Sequence, residues 1–174
     1  MIKPKKKLLS VTEAISKVKD GVQQVTSEQV TLPDALGRVL ACDVPSRLTY
    51  PPVAVSAMDG YAVKAKDLRN FPVTLKKIGE SAAGAGFKGR INSGETVRIF
   101  TGAPLPTGTD TIIIQEIVTA EKNNIILKKG TPKGTFVRSA GLDFCKGDIL
   151  LKKGRVLTAR DLGLAAAMNV PWLD

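Results

Sequence analysis

The chain has 174 residues and a net charge of +10, from 26 Lys and Arg against 16 Asp and Glu, and it contains no histidine. The missing imidazole excludes Ser-His and Cys-His nucleophile activation and His-ligated zinc, and the two cysteines, Cys42 and Cys145, supply neither a disulfide framework nor four soft ligands. With 43% apolar, 24% charged and only 5% aromatic residues, the composition is that of an ordinary globular protein whose core rests on Val, Ile, Leu and Ala.

A basic tail is expected over residues 1–8, and the Lys3 to Lys7 stretch leads into no signal-peptide-like apolar run. No segment approaches the roughly 20 apolar residues of a bilayer span, so a soluble, cytoplasmic protein without a membrane partner is expected. Ser10-Val11-Thr12-Glu13 reads as a capping box that starts a helix through about Lys19, with Ala14, Ile15 and Val18 on one apolar stripe and Asp20-Gly21 at its end. Glu28 to Thr31 alternates like a short strand, Pro33 opens a helical turn, Gly37 stops it, and Val39 to Val44 reads as a strand closed by Pro45.

From Leu48 to about Arg138 the pattern is one of short strands punctuated by turns. Strands are predicted at Tyr61 to Val63, Val73 to Ile78, Thr96 to Ile99, Thr111 to Gln115, Ile125 to Leu127 and Thr135 to Val137. Asn123-Asn124 fits a hairpin turn. Farther on, Asp148 to Leu151 and Arg155 to Leu157 frame Lys153-Gly154 as a second hairpin, and Thr158-Ala159-Arg160-Asp161 starts a helix that Asn169 can end in the left-handed region. The fold class predicted is α+β, largely β. A β-rich subdomain (residues 48–145) is inserted between helix-containing terminal segments (9–47 and 146–174) that pack together as a second subdomain.

Three turns carry chemistry. In Ser56-Ala57-Met58-Asp59-Gly60, Asp59 sits on a small-residue turn that runs into a strand, with Gly60 suited to a positive φ; the plain alternative is an Asp-Gly β-turn with a solvated carboxylate. Thr101-Gly102-Ala103-Pro104 follows a strand bearing Arg98 and can cradle an anion through its amides, although a rigid two-proline turn explains the same letters. Arg138-Ser139-Ala140-Gly141-Leu142-Asp143 offers a guanidinium that can pair with a carboxylate or grip an oxyanion, and an acid that can join Asp59 as a hard oxygen ligand for Mg²⁺. Gln115-Glu116 ends an apolar run and reads as a polar strand end. The positive charge favours an anionic partner, but paired lysines such as Lys76-Lys77 and Lys128-Lys129 suit a solvated surface, and aromatics for base stacking are scarce, so a nucleic-acid role is disfavoured.

Ser56 to Val63, Arg98 to Pro106, Gln115-Glu116 and Arg138 to Asp143, supported by Ala35 to Ala41 and Gly154 to Thr158, stand in an order that resembles the N-terminal region of the molybdopterin molybdenumtransferases, the MoeA and gephyrin E-domain family. The resemblance implies molybdenum cofactor synthesis: insertion of molybdate into adenylylated molybdopterin with release of AMP, assisted by a divalent metal cofactor, usually Mg²⁺. It further implies a homodimer, and substrate-binding α/β and C-terminal β domains downstream of the region present here. Carried over by motif, the catalytic set is Asp59, Thr101 and Asp143, the cofactor-binding set Ser56, Gly102 and Arg138, and the metal ligands Asp59 and Asp143. Two departures from the family pattern are Val53 and Val55, where an aromatic residue and an Asn are usual, and Leu142, where Glu is frequent. The chain is therefore expected to be an insertase part that is inactive alone, with a non-catalytic dimerisation or scaffold module as the alternative.

Overall fold

A computed structural model describes residues 8–174; all of the expected basic tail except Leu8 lies outside the described residues. In chain order the elements are α1 (Val11–Asp20), β1 (Val30–Thr31), β2 (Val44–Pro45), β3 (Val55–Ser56), β4 (Gly60–Val63), β5 (Val73–Ser81) and β6 (Glu95–Ile99). They continue with β7 (Thr111–Ile114), β8 (Val118–Glu121), β9 (Asn124–Leu127), β10 (Val137–Arg138), β11 (Ile149–Leu151), α2 (Ala159–Ala167) and β12 (Trp172–Leu173). The fold is α+β and largely β, as the strand-turn pattern predicts.

Six strands form one sheet in the order β7-β4-β6-β5-β9-β8, all neighbours antiparallel except β5 and β6. Flat, such a sheet would hold its edges roughly 24 Å apart, at about 4.8 Å per strand. Yet the edge strands β7 and β8 are joined only by a 3-10 turn, Gln115–Ile117. Four residue steps span at most roughly 14 Å, so the sheet curls until its edges approach. β4 is accordingly buried on both faces: Tyr61 and Val63 join one apolar cluster with Leu75, Ile113, Ile125 and Leu127, while Ala62 joins Ile99, Ala103 and Ile112 in another. The period-2 alternation of a strand sends neighbouring side chains into two separate cores.

A third core draws on both ends of the chain. Ala35, Leu40 and Val44 meet Leu151, Leu157, Ala165, Met168 and Leu173. The backbone pairs in the same sense: β1 with β12 (Val30↔Leu173) and β2 with β11 (Val44↔Leu151). The terminal segments do pack together, but by pairing that local sequence does not reveal. Residues 39–44 are not one strand, since only Val39 makes a bridge, to Val156, before β2 begins. Nor do Asp148 to Leu151 and Arg155 to Leu157 form a hairpin with each other: the first pairs with β2, and the Gly154 amide turns away to the Leu40 carbonyl. Two smaller differences concern turns. The two-residue hairpin loop is Lys122-Asn123 with Lys122 at φ 56°, Asn124 already lying in β9, and the strand expected at Thr135 to Val137 is the two-residue β10, which shares only Val137 with it.

Both helix starts form as predicted. Ser10 and Glu13 exchange capping hydrogen bonds, as do Thr158 and Asp161, and Asn169 follows α2 at φ 60°. The two helices differ in what they bury. α2 sends Ala165 into the terminal core, whereas α1 buries none of its residues. Val11, Ile15 and Val18, one face at i, i+4 and i+7, remain 76%, 50% and 67% exposed.

Gly60 is a glycine for a reason other than turn conformation. Its φ is not positive; instead a Cβ built there would lie 2.0 Å from the Ile113 carbonyl oxygen, because β4 is clasped between β6 and β7. Gly60→Ala is expected to destabilise the fold by about 3 kcal/mol, since a backbone carbonyl cannot rotate aside, with urea unfolding as the measurement. Asp161 generates a pH-dependent prediction. The Arg155 guanidinium, then the Thr158 amide and hydroxyl, hold its carboxyl at about 2 against an ordinary 3.8. A depressed folded-state value means stability that is full above pH 3.8 and is lost as pH falls through about 2. The stability gap between the chain and Asp161→Asn should be constant above about pH 5 and close as pH is lowered toward 2 in denaturation series.

Candidate functional site

The acid-bearing turn is fixed by its neighbours before Asp59 makes any contact. Ser56 is buried, and its hydroxyl donates to the Met58 carbonyl at 2.6 Å while accepting from the Met58 amide at 3.3 Å, closing a local turn. The Ser56 amide donates to the Ala103 carbonyl and its carbonyl accepts from the Gly102 amide, at 3.0 and 2.8 Å. The Ala57 amide reaches the Phe136 carbonyl at 2.9 Å, and the Asp59 carbonyl accepts from the Gln115 amide at 3.2 Å. Three segments distant in sequence therefore hold the four consecutive residues Ser56 to Asp59.

Asp59 then projects its carboxylate onto the neighbouring turn. Oδ1 accepts from both the amide and the hydroxyl of Thr101, at 2.7 and 2.8 Å. These two bonds, the backbone one foremost, hold the Asp59 carboxyl below its ordinary value, and the Arg98 charge adds to them. The second oxygen, Oδ2, accepts no hydrogen bond among the described residues. The result is an ionised, oriented carboxylate with one face free.

Arg98 shapes the floor of this region. Its guanidinium lies over the Tyr61 and Phe100 rings, 5.2 and 5.0 Å from their centroids, and bonds the Gln115 side-chain carbonyl and, at 3.4 Å, the Gly60 carbonyl. Gln115 in turn donates to Glu116 at 3.3 Å. The pair read as a polar strand end is instead the first turn of the 3-10 segment, and Gln115 relays Arg98 to the Asp59 loop. Arg98, three positions before Thr101, is legible in the sequence as charge beside that turn. Nothing local marks Gln115 as its partner.

The third turn joins through β3. Val55–Ser56 pairs with Val137–Arg138, and Val55 also bridges Pro104. Arg138 Nη2 lies 3.1 and 3.2 Å from the two oxygens of Asp143, so this guanidinium already has its carboxylate. The Asp143 amide donates to the Tyr50 carbonyl at 3.1 Å and the Gly141 amide to the Pro51 carbonyl at 2.9 Å, which fixes the loop.

The sequence-predicted residues thus form two direct pairs, Asp59 with Thr101 and Arg138 with Asp143, stitched together through Ser56 and Gly102. Their hydrogen bonding differs from an open anion cradle. The amides of Thr101, Gly102 and Ala103 all have internal acceptors, namely Asp59, Ser56 and Phe100. The turn presents an acid, not a row of donors. No group of three or more Asp, Glu or Cys residues able to hold a metal occurs among the described residues.

Comparison with known proteins bears on this arrangement. The family model described as the MoeA N-terminal region (domain I and II) matches residues 9–169. The molybdopterin molybdenumtransferase of Haemophilus influenzae is 38% identical over 165 residues, covering 94% of this chain and 41% of that protein. The protein of the same name from Nostoc sp. is 40% identical over 153 residues, covering 85% and 35%. The crystal structure of the molybdopterin biosynthesis moeA protein from Pyrococcus horikoshii OT3 aligns with a TM-score of 0.90 at 31% identity, over 96% of this chain and 45% of that one. The chain spans less than half the length of these relatives. Matched by the family model over nearly its whole length, and sharing both fold and sequence with these proteins, the chain belongs to the MoeA family and carries its N-terminal region.

Proposed function

We propose that this chain supplies one side of a composite active site for inserting molybdenum, delivered as molybdate, into adenylylated molybdopterin with release of AMP, and that it does not turn over by itself. The observation that carries this reading is the Asp59 carboxylate, ionised and aimed by two Thr101 hydrogen bonds with Oδ2 left free. The relatives' name, molybdopterin molybdenumtransferase, supplies the reaction class. Asp59 would hold a Mg²⁺ ion through Oδ2; one or two carboxylates with water and substrate phosphates is the usual donor set for that ion. When bound, the ion supplies Lewis-acid charge stabilisation at a phosphate oxygen. Thr101 positions Asp59, Asp143 is the second acid of the site under the control of Arg138, and Ser56 and Gly102 fix the loop on which both act. The substrate face comes from the downstream domains of the family. The division into an inserted subdomain (48–145) and a composite terminal one (9–47 and 146–174) is part of the same reading.

The chain joined to the downstream domains of the Haemophilus influenzae relative should turn over adenylylated molybdopterin, and the 174-residue chain alone should not. In that fusion Asp59→Asn should lower kcat by about a hundredfold. Thr101→Val should lower it less and shift the acid limb of the pH profile upward, because the lost hydroxyl bond favoured the ionised carboxylate. The alternative, a non-catalytic scaffold module, is favoured by Val53 and Leu142, which stay 49% and 55% exposed beside the site. Turnover untouched by Asp59→Asn would select the scaffold.

We also propose that the chain forms a homodimer through α1, whose exposed Val11, Ile15 and Val18 face no core of their own. Ile15→Glu with Val18→Glu should convert dimer to monomer in analytical ultracentrifugation. The thermal transition of the monomer should be unchanged, since α1 buries none of its residues within the chain.

A further inference from the structure

We propose an anion site at the opposite end of β4 from Asp59, a shallow hollow of about 560 Å³ that takes a small, multiply charged oxyanion of the phosphate class. Five cations line it: Lys64, Lys66 and Arg69 from the segment after β4, Arg90 from the crossover between β5 and β6, and Lys133 from the loop between β9 and β10. One acid, Asp110, is among them. The four residues of β4 separate the hollow from the Asp59 turn by roughly 13 Å.

Backbone hydrogen bonds hold the contributing segments together. The Ile91 amide donates to the Thr107 carbonyl at 2.9 Å, the Asp110 amide to the Val63 carbonyl at 3.0 Å, and the Gly134 amide to the Asp110 carbonyl at 3.0 Å. Asp110 is occupied inward. Its Oδ1 accepts from the Ala65 amide at 2.8 Å and the Thr111 hydroxyl at 3.1 Å, and its Oδ2 lies 3.7 Å from Lys133 Nζ. Asp67, on the same segment as Lys66, is turned away to the Ser93 hydroxyl and Gly94 amide, at 2.6 and 3.0 Å. Among the described residues Lys64, Lys66, Arg69 and Arg90 therefore have no carboxylate within ion-pair distance.

Size and lining decide the class of ligand. A hollow of this volume is roughly 10 Å across, close to the Debye length of about 8 Å at physiological ionic strength, so the cations act together on an ion placed inside it. No aromatic side chain lines the hollow. That disfavours single-stranded nucleic acid, which binds by base stacking, and leaves charge and guanidinium hydrogen bonding to phosphate-like oxygens. Lys77, by contrast, pairs with Glu80 on its own strand.

Titration calorimetry of the chain with inorganic pyrophosphate tests the site. Saturable binding of one ion per chain is expected, weakened by added salt, and Arg69→Ser with Arg90→Ser should weaken it about tenfold or more. Both arginines are exposed, so the circular dichroism spectrum should not change. Lys128→Ser with Lys129→Ser, and separately Asp59→Asn, should leave binding as it is. Displacement of pyrophosphate by AMP would assign the site to a nucleotide-borne phosphate, and displacement by molybdate but not AMP to a free oxyanion; either supports it. Absence of saturable binding, equal weakening by the Lys128/Lys129 variant, or tighter binding of single-stranded RNA through the same residues would overturn it.

Discussion

The three residues between β7 and β8 impose the constraint on which the structure depends. They link the two edges of a six-stranded sheet, and that link is too short for anything but a curled sheet. Curling puts β4 under cover on both faces, so that a strand of four residues serves two clusters at once. The same joint begins with Gln115, whose amide holds the Asp59 carbonyl and whose side chain receives Arg98. Closure of the sheet and placement of the acid are thus a single mechanical event.

The electrostatics follow from that placement. In a chain without histidine, an acid that must be charged and aimed depends on hydrogen bonds given to the carboxylate, and Thr101 supplies two of them to one oxygen. Arg138 is neutralised by Asp143 and Arg98 rests on aromatic faces, so neither collapses onto Asp59. The free oxygen of Asp59 survives because each nearby cation already has a partner. On a protein carrying +10, that separation is a real demand on the fold.

Much of this was legible from residues alone, and the misses share one cause. Capping boxes at Ser10 and Thr158 involve neighbours three positions apart, and they formed as read. The strands of the sheet also appeared, because short apolar, β-branched runs bounded by turn residues are a local pattern. Pairings across the chain were not legible: β11 looks like half of a hairpin with Arg155 to Leu157 until β2, about a hundred residues earlier, takes its edge. Gly60 was noticed as a glycine, but its reason, the Ile113 carbonyl, belongs to another strand. The resemblance names Asp59, Thr101, Arg138 and Asp143 one by one, and their meeting as two hydrogen-bonded pairs follows only from the fold. The contact of Gln115 with Arg98 and the convergence of cations at the Lys64 hollow had no local sign, since the segments that meet there lie far apart in sequence.

The pairing of Val30 with Leu173 has a consequence for how the chain acquires its structure. Synthesis delivers β1 and β2 long before β12 and β11 exist, so the early strands have no partners while the intervening residues emerge. Every strand of the curled sheet lies within that interval and pairs with others inside it. The sheet can therefore assemble first, and once folded it shortens the span that the two ends must bridge, lowering the loop-closure entropy of the last step. On that order of events, the residues that carry Asp59 would bring together the two ends whose strands build the terminal core.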